Sequence, residues 1–244
     1  MIAPLRCLTL TLLMLISSLL SAAQNPQDRL LAQELSTYRL LTLFHLLRLE
    51  QGAPEVLSRL QAEVQRFEGL LVVEGSAPLA ADVLQQAKAF QDVLLHNSQL
   101  RYDEIDFYAL DALSQSAHSL LQLNRQALDK LAAQPASADL RQAILMQQIA
   151  AEYVREAASF DSGSAVYDSA KDRYEPVDVM AKSFSQRLQQ LHKATSGSSE
   201  QRSKLAQVQV IWNYIEPPLL DYRERSLPFV IDRYSEQIVA LLVN

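Results

Sequence analysis

The sequence predicts an all-α protein, and three observations carry that expectation. Only 5 of 244 residues are glycine, beside many Leu, Ala, Gln and Glu, a composition that favours helix. Apolar residues recur at helical spacing along most of the chain. No run of useful length alternates with the two-residue period of a strand. The expected architecture is two tandem up-down antiparallel helical bundles, about four helices each, after a signal peptide. Short loops between amphipathic helices favour antiparallel neighbours.

Residues 1–23 read as that signal peptide. Arg6 supplies the positive end, Leu8 to Leu20 the apolar run, and Ser21-Ala22-Ala23 the small residues for cleavage between Ala23 and Gln24. The apolar run is shorter than the ~20 residues a spanning helix needs. The apolar tail 238–243 is shorter still, so no stable transmembrane segment is expected after cleavage. Cys7 is the only cysteine and lies in the leader, which leaves the mature chain without disulfides. A periplasmic location is expected.

Asn25-Pro26 starts the first helix, with Leu31, Leu35, Tyr38 and Thr42 on one face, and Gly52 stops it after Glu50. Pro54 opens a second helix carrying Val56, Leu60, Val64, Phe67 and Leu71. Two more are expected at 79–99 and 104–134. The break at Gln134-Pro135-Ala136-Ser137 divides the chain into 24–135 and 136–244. Ser137 or Asp139 would cap a helix over 138–160, and 161–175 reads as a long loop. Further helices are expected from Pro176 to Ala194 and from Glu200 to Glu216, where Pro217-Pro218 should kink or end the helix. In the last helix Leu227, Val230, Ile231, Tyr234, Ile238 and Leu241 form a stripe, while Asp232, Arg233, Glu236 and Gln237 face away.

The halves resemble each other. At an offset of 114, Leu31, Gln33 and Leu35 fall on Leu145, Gln147 and Ile149. Phe67 corresponds to Phe184 in the second helices, and Phe90 to Trp212 in the third. One four-helix unit repeated once is the simplest account.

Residues Arg141-Gln142-Ala143-Ile144-Leu145-Met146-Gln147-Gln148-Ile149-Ala150 resemble the opening signature of the PilJ-type domain. That domain is the N-terminal part of type IV pili methyl-accepting chemotaxis transducers and is related to NarX-type nitrate-sensing helical domains. Arg29 to Leu35 carries a fainter copy, and Phe184 with Trp212 resembles the family's aromatic pattern. The resemblance implies a periplasmic module that binds a small ligand and passes a helix displacement through a membrane receptor or transducer protein. It places ligand-binding polar groups at Arg29, Gln33, Arg141, Gln142 and Gln147. The family's anion-binding arginine corresponds to Arg29 but to Ala143 in the second copy, and Glu34 and Gln148 replace its later arginine. Those departures argue against nitrate. An exposed polar face is the other reading of this row.

The formal charge of −6 and the absence of a Lys/Arg block argue against nucleic acid. His45, His96, His118 and His192 fall on different helices, and Asp103, Glu104 and Asp106 lack the spacing of a calcium loop, so no metal or cofactor is expected. Acids at a helix N-terminus account for the latter group, and solvated loop charges for Asp161, Asp168 and Asp172. No nucleophile elbow or phosphate loop occurs, and no enzymatic activity is expected. Tyr153, Trp212, Tyr214 and Tyr234, with Tyr167, Tyr174 and Tyr222, either line a groove for a ligand or partner or serve as core and boundary aromatics. The functional expectation is a sensory or ligand-binding module linked to type IV pili or chemosensory signalling. The alternative is a structural or assembly accessory of the envelope. Homodimerisation through the last helix competes with intramolecular packing of its stripe.

Overall fold

The computed structural model describes residues 26–72, 78–101, 105–131, 137–161, 175–194, 198–223 and 226–243. The signal segment with Ala23 and Gln24, and also Asn25, Asp103, Glu104, Tyr167, Asp168, Asp172 and Tyr174, lies outside them. Among the described residues the protein is all-α, with eight helices: α1 Pro26–Leu49, α2 Pro54–Leu71, α3 Ala81–Gln99, α4 Phe107–Lys130, α5 Ala138–Asp161, α6 Val177–Ala194, α7 Ser199–Leu220 and α8 Pro228–Val243.

Most boundaries follow local chemistry. The turn after α1 passes through Gln51 and Gly52, at φ 51° and 87°, and the Gly52 N–H bonds back to the Leu47 carbonyl at 2.8 Å. A left-handed close of this kind is where glycine fits without strain. Ala53 has no capping side chain, and Pro54 occupies the first helical position instead. The fourth helix begins at Phe107 and not at 104, because the Asp106 carboxylate accepts from the Ala109 N–H at 2.9 Å and acts as its N-cap. Ser137 caps α5 through the Leu140 N–H, and Ser198 caps α7 through the Gln201 N–H.

Two expectations are corrected. The seventh helix does not stop at Glu216; it continues through Pro217 and Pro218 to Leu220. Both prolines sit in its last turn, and the Pro217 carbonyl still accepts from the Asp221 N–H at 3.1 Å. The stripe of α8 is also rotated from the predicted one. Leu227 is 41% exposed, whereas Asp232 and Ser235 are buried with Ile231, Ile238, Val239 and Leu242. Asp232 does not face solvent because Arg59 of α2 holds it at 2.7 Å.

The packing centres on α1 and α5, which lie against each other. The Gln147 amide donates to the Thr42 hydroxyl at 3.1 Å, and Arg155 acts electrostatically on His45, so the two helices advance in the same direction. Around them α1 packs on α2 and α4, α5 packs on α6 and α8, and α3–α4, α6–α7 and α7–α8 are neighbours. One continuous hydrophobic cluster draws on all eight helices. The first helix is buried nearly all round, as expected of an element surrounded by others.

Candidate functional site

The residues singled out in the opening motifs fall on the central helices with different fates. Arg29, 1% exposed, donates from Nη2 to the Leu70 carbonyl at 3.0 Å and to the Leu71 carbonyl at 3.1 Å. These are among the last carbonyls of α2, which have no partner within their own helix. A cation there also opposes the negative end of the helix dipole. Gln142 instead reaches the middle of a neighbouring helix in the second half, donating to the Phe184 carbonyl of α6 at 2.8 Å. Gln33 is fully buried with neither amide atom hydrogen-bonded. Gln147 reaches Thr42, whose hydroxyl in turn donates to the Tyr38 carbonyl at 2.9 Å. Arg141 is exposed. Four of the five candidates are therefore interior, and the guanidinium of Arg29 is occupied by backbone.

The aromatic candidates divide in the same way. Trp212 stacks on Phe184 at 4.2 Å between ring centroids, and its indole N–H donates to Ser185 at 2.8 Å. The matching positions Phe67 and Phe90 also meet, edge to face at 5.8 Å. Tyr153 is buried, and its hydroxyl accepts from the Leu227 N–H at 2.9 Å, fixing the entry to α8. Tyr214, 61% exposed, meets half-buried Tyr234 at 5.0 Å on the surface. Trp212 and Tyr153 are core aromatics; Tyr214 and Tyr234 are the pair that solvent reaches.

Two charged layers escaped the sequence reading. One ties α1, α2 and α8: Arg39 lies 3.2 Å from Glu63 and 2.7 Å from Glu236, and Arg59 pairs with both Asp232 and Glu236. Burial pushes the Glu63 and Asp232 carboxyls above their ordinary range, against the arginines that hold them down. The other layer lies on α5, where Arg155 pairs with Glu152 at 2.9 Å and Glu156 at 2.8 Å. Burial pushes Glu152 up to about 7, against the pull of Arg155. His45, fully enclosed and facing the positive charges of Arg48 and Arg155, is held well below the usual histidine range and stays neutral. The signal for the second layer was present: Glu152, Arg155 and Glu156 interrupt the otherwise apolar run 149–158.

The raised Glu152 carboxyl makes stability depend on pH. Between its ordinary value and about 7 the folded chain keeps a proton that the unfolded chain releases, so stability falls as pH rises through that window. His45 acts in the opposite sense, but only below its ordinary 6.5. From pH 6.5 to 8 the loss should be ~1 kcal/mol, read as a falling melting midpoint. Glu152→Gln should flatten the profile; an equal slope in the variant would refute the assignment.

Two recesses open beside α1. A cavity of about 460 Å³ between α1, α4 and α5 is lined by Tyr38, His118, Gln122, Arg125, Gln148 and Glu175. Arg125 there donates to the Tyr38 hydroxyl at 3.2 Å and to Glu34 at 3.4 Å. A second, of about 290 Å³, lies between the end of α1 and the connection from α3 to α4. Among the described residues no group of three His, Cys, Asp or Glu is placed to hold a metal, and no helix is long and apolar enough to cross a membrane. Comparison with protein-family models, with curated proteins and with solved structures finds no significant match to this chain.

Proposed function

We propose that this protein is a non-enzymatic sensory module of the cell envelope: two PilJ-like helical bundles in tandem, exported by a cleaved leader, that respond to a small ligand and act through a membrane receptor or transducer. The pairing of Phe67 with Phe90 and of Phe184 with Trp212 at corresponding places supports the tandem reading. One observation carries the sensory reading. The central helices α1 and α5 carry a buried polar row in which Gln33, and the side-chain oxygens of Gln142 and Gln147, lack hydrogen-bond partners. Each such group costs roughly 1–3 kcal/mol. An alternative register that satisfies them would lie close in energy, and a two-state element of this kind is what a ligand can bias.

The test is a distance measurement between spin labels on exposed positions 50, just past the end of α1, and 141, in the first turn of α5. On adding a small-molecule extract of the producing cells, the distribution is expected to shift by about 1–2 Å or become bimodal. One invariant distribution would refute the sensory reading. The exposed Tyr214 and Tyr234 pair, beside Val210 at 71% exposure, favours a second reading, in which the chain is an envelope accessory that binds proteins through this face.

A further inference from the structure

The two halves differ at one matching surface. Phe90 and Trp212 hold corresponding core places, so the outer faces of α3 and α7 align at an offset of 122. The exposed residues Lys88, Ala89, Asp92 and His96 of α3 then fall on Val210, Ile211, Tyr214 and Pro218 of α7. A bundle of this kind tolerates charge on that face, yet the second half has apolar and aromatic groups there. The outer side of α7 exposes Gln207, Val210, Tyr214 and Pro217 at alternating spacings of three and four. Beside them α8 sets Val230, Tyr234, Gln237 and Leu241 at four, three and four, and the contact of Tyr214 with Tyr234 joins the two rows. Rows of this period form the seams in which helices pack knobs into holes. The buried stripe of α8 that serves its own core is a different face. Among the described residues of α7 beyond Lys204 and of α8, the one exposed charged side chain is Arg233.

We propose that this face pairs with the same face of a second copy of the chain. The two α7 helices run antiparallel about a two-fold axis and form a four-helix layer with both α8 helices. Copies with a net charge of −6 repel one another at long range, so they meet where exposed charge is scarcest. The row on α7 is also self-complementary. A register that sets Val210 of one copy opposite Tyr214 of the other sets Gln207 opposite Pro217, and brings Lys204 level with Asp221. Lys204 otherwise meets only exposed Glu200 of its own helix, at 3.5 Å. A basic group at one end of the row and an acid at the other are satisfied twice by a two-fold contact. From 207 to 218 the strip is about 17 Å long and two helices wide. That is below the ~800 Å² per partner of a standard interface, so the dimer is weak and reversible. The pairing does not rest on the sensory reading; it commits to a second copy the face that the accessory reading gives to a foreign protein.

The test is sedimentation of the mature protein from about 1 to 500 μM, which should show a monomer–dimer equilibrium with Kd in the tens of micromolar. Val210→Lys combined with Tyr214→Asp writes the first-half residues into α7 and should leave only monomer. Both side chains are exposed, so that variant should melt with the parent in dilute solution. Lys88→Gln, at the matching place in the first half, should leave the equilibrium unchanged. Lys204→Glu and Asp221→Lys should each weaken the dimer by about fivefold, and the two together should restore it. Monomer at every concentration, undiminished pairing in the Val210 and Tyr214 variant, or no restoration by the charge swap would overturn the proposal. Capture of a foreign protein on this face by a chain that stays monomeric would overturn the pairing and leave the accessory reading standing.

Discussion

Trp212→Ala is expected to lower the free energy of unfolding by about 3–5 kcal/mol, the range for deleting a large aromatic from a closed core. The indole is 1% exposed and stacked on fully buried Phe184, so its removal leaves a void that two rigid helices cannot collapse to fill. It also removes the N–H that donates to Ser185, whose own hydroxyl donates to Glu216. Urea unfolding of the variant measures the loss. Trp212→Phe should recover most of it, lacking only the hydrogen bond and part of the volume. A loss under ~1 kcal/mol in Trp212→Ala would mean that the stack between α6 and α7 adds little.

Arg29→Met is the second large effect, expected at about 2–3 kcal/mol. Methionine keeps an unbranched apolar stem of similar reach but abandons the Leu70 and Leu71 carbonyls at the end of α2. This variant separates two roles that the sequence left together. If Arg29 serves structure, stability falls while any ligand response is unchanged once the protein is folded. An unaltered unfolding curve with lost ligand response would restore Arg29 to a ligand site.

The helices were legible because their signals are local. Pro54 and Ser137 mark starts and Gly52 a stop, as the structure has them. What escaped depends on partners far away in sequence. Asp232 reads as a solvent-facing acid on α8 until Arg59, 173 residues earlier, is seen to hold it. The row containing Arg29, Gln33, Gln142 and Gln147 was visible as polar residues on a central face. Whether such groups meet a ligand or a backbone carbonyl is decided by which helix end lies opposite, and no spacing encodes that. The recess beside Arg48 joins the end of α1 to the segment after α3, and none of its residues stands out in its own context.

The placement of α1 against α5 also bears on how the molecule can be made and dismantled. A chain ending near residue 135 would present to water the face of the first helix that includes Thr42, along with the rest of the surface that α5 covers. A half released from the ribosome or left by a protease would therefore keep its own helix contacts but carry a bare apolar seam, less stable than the same half in the whole chain.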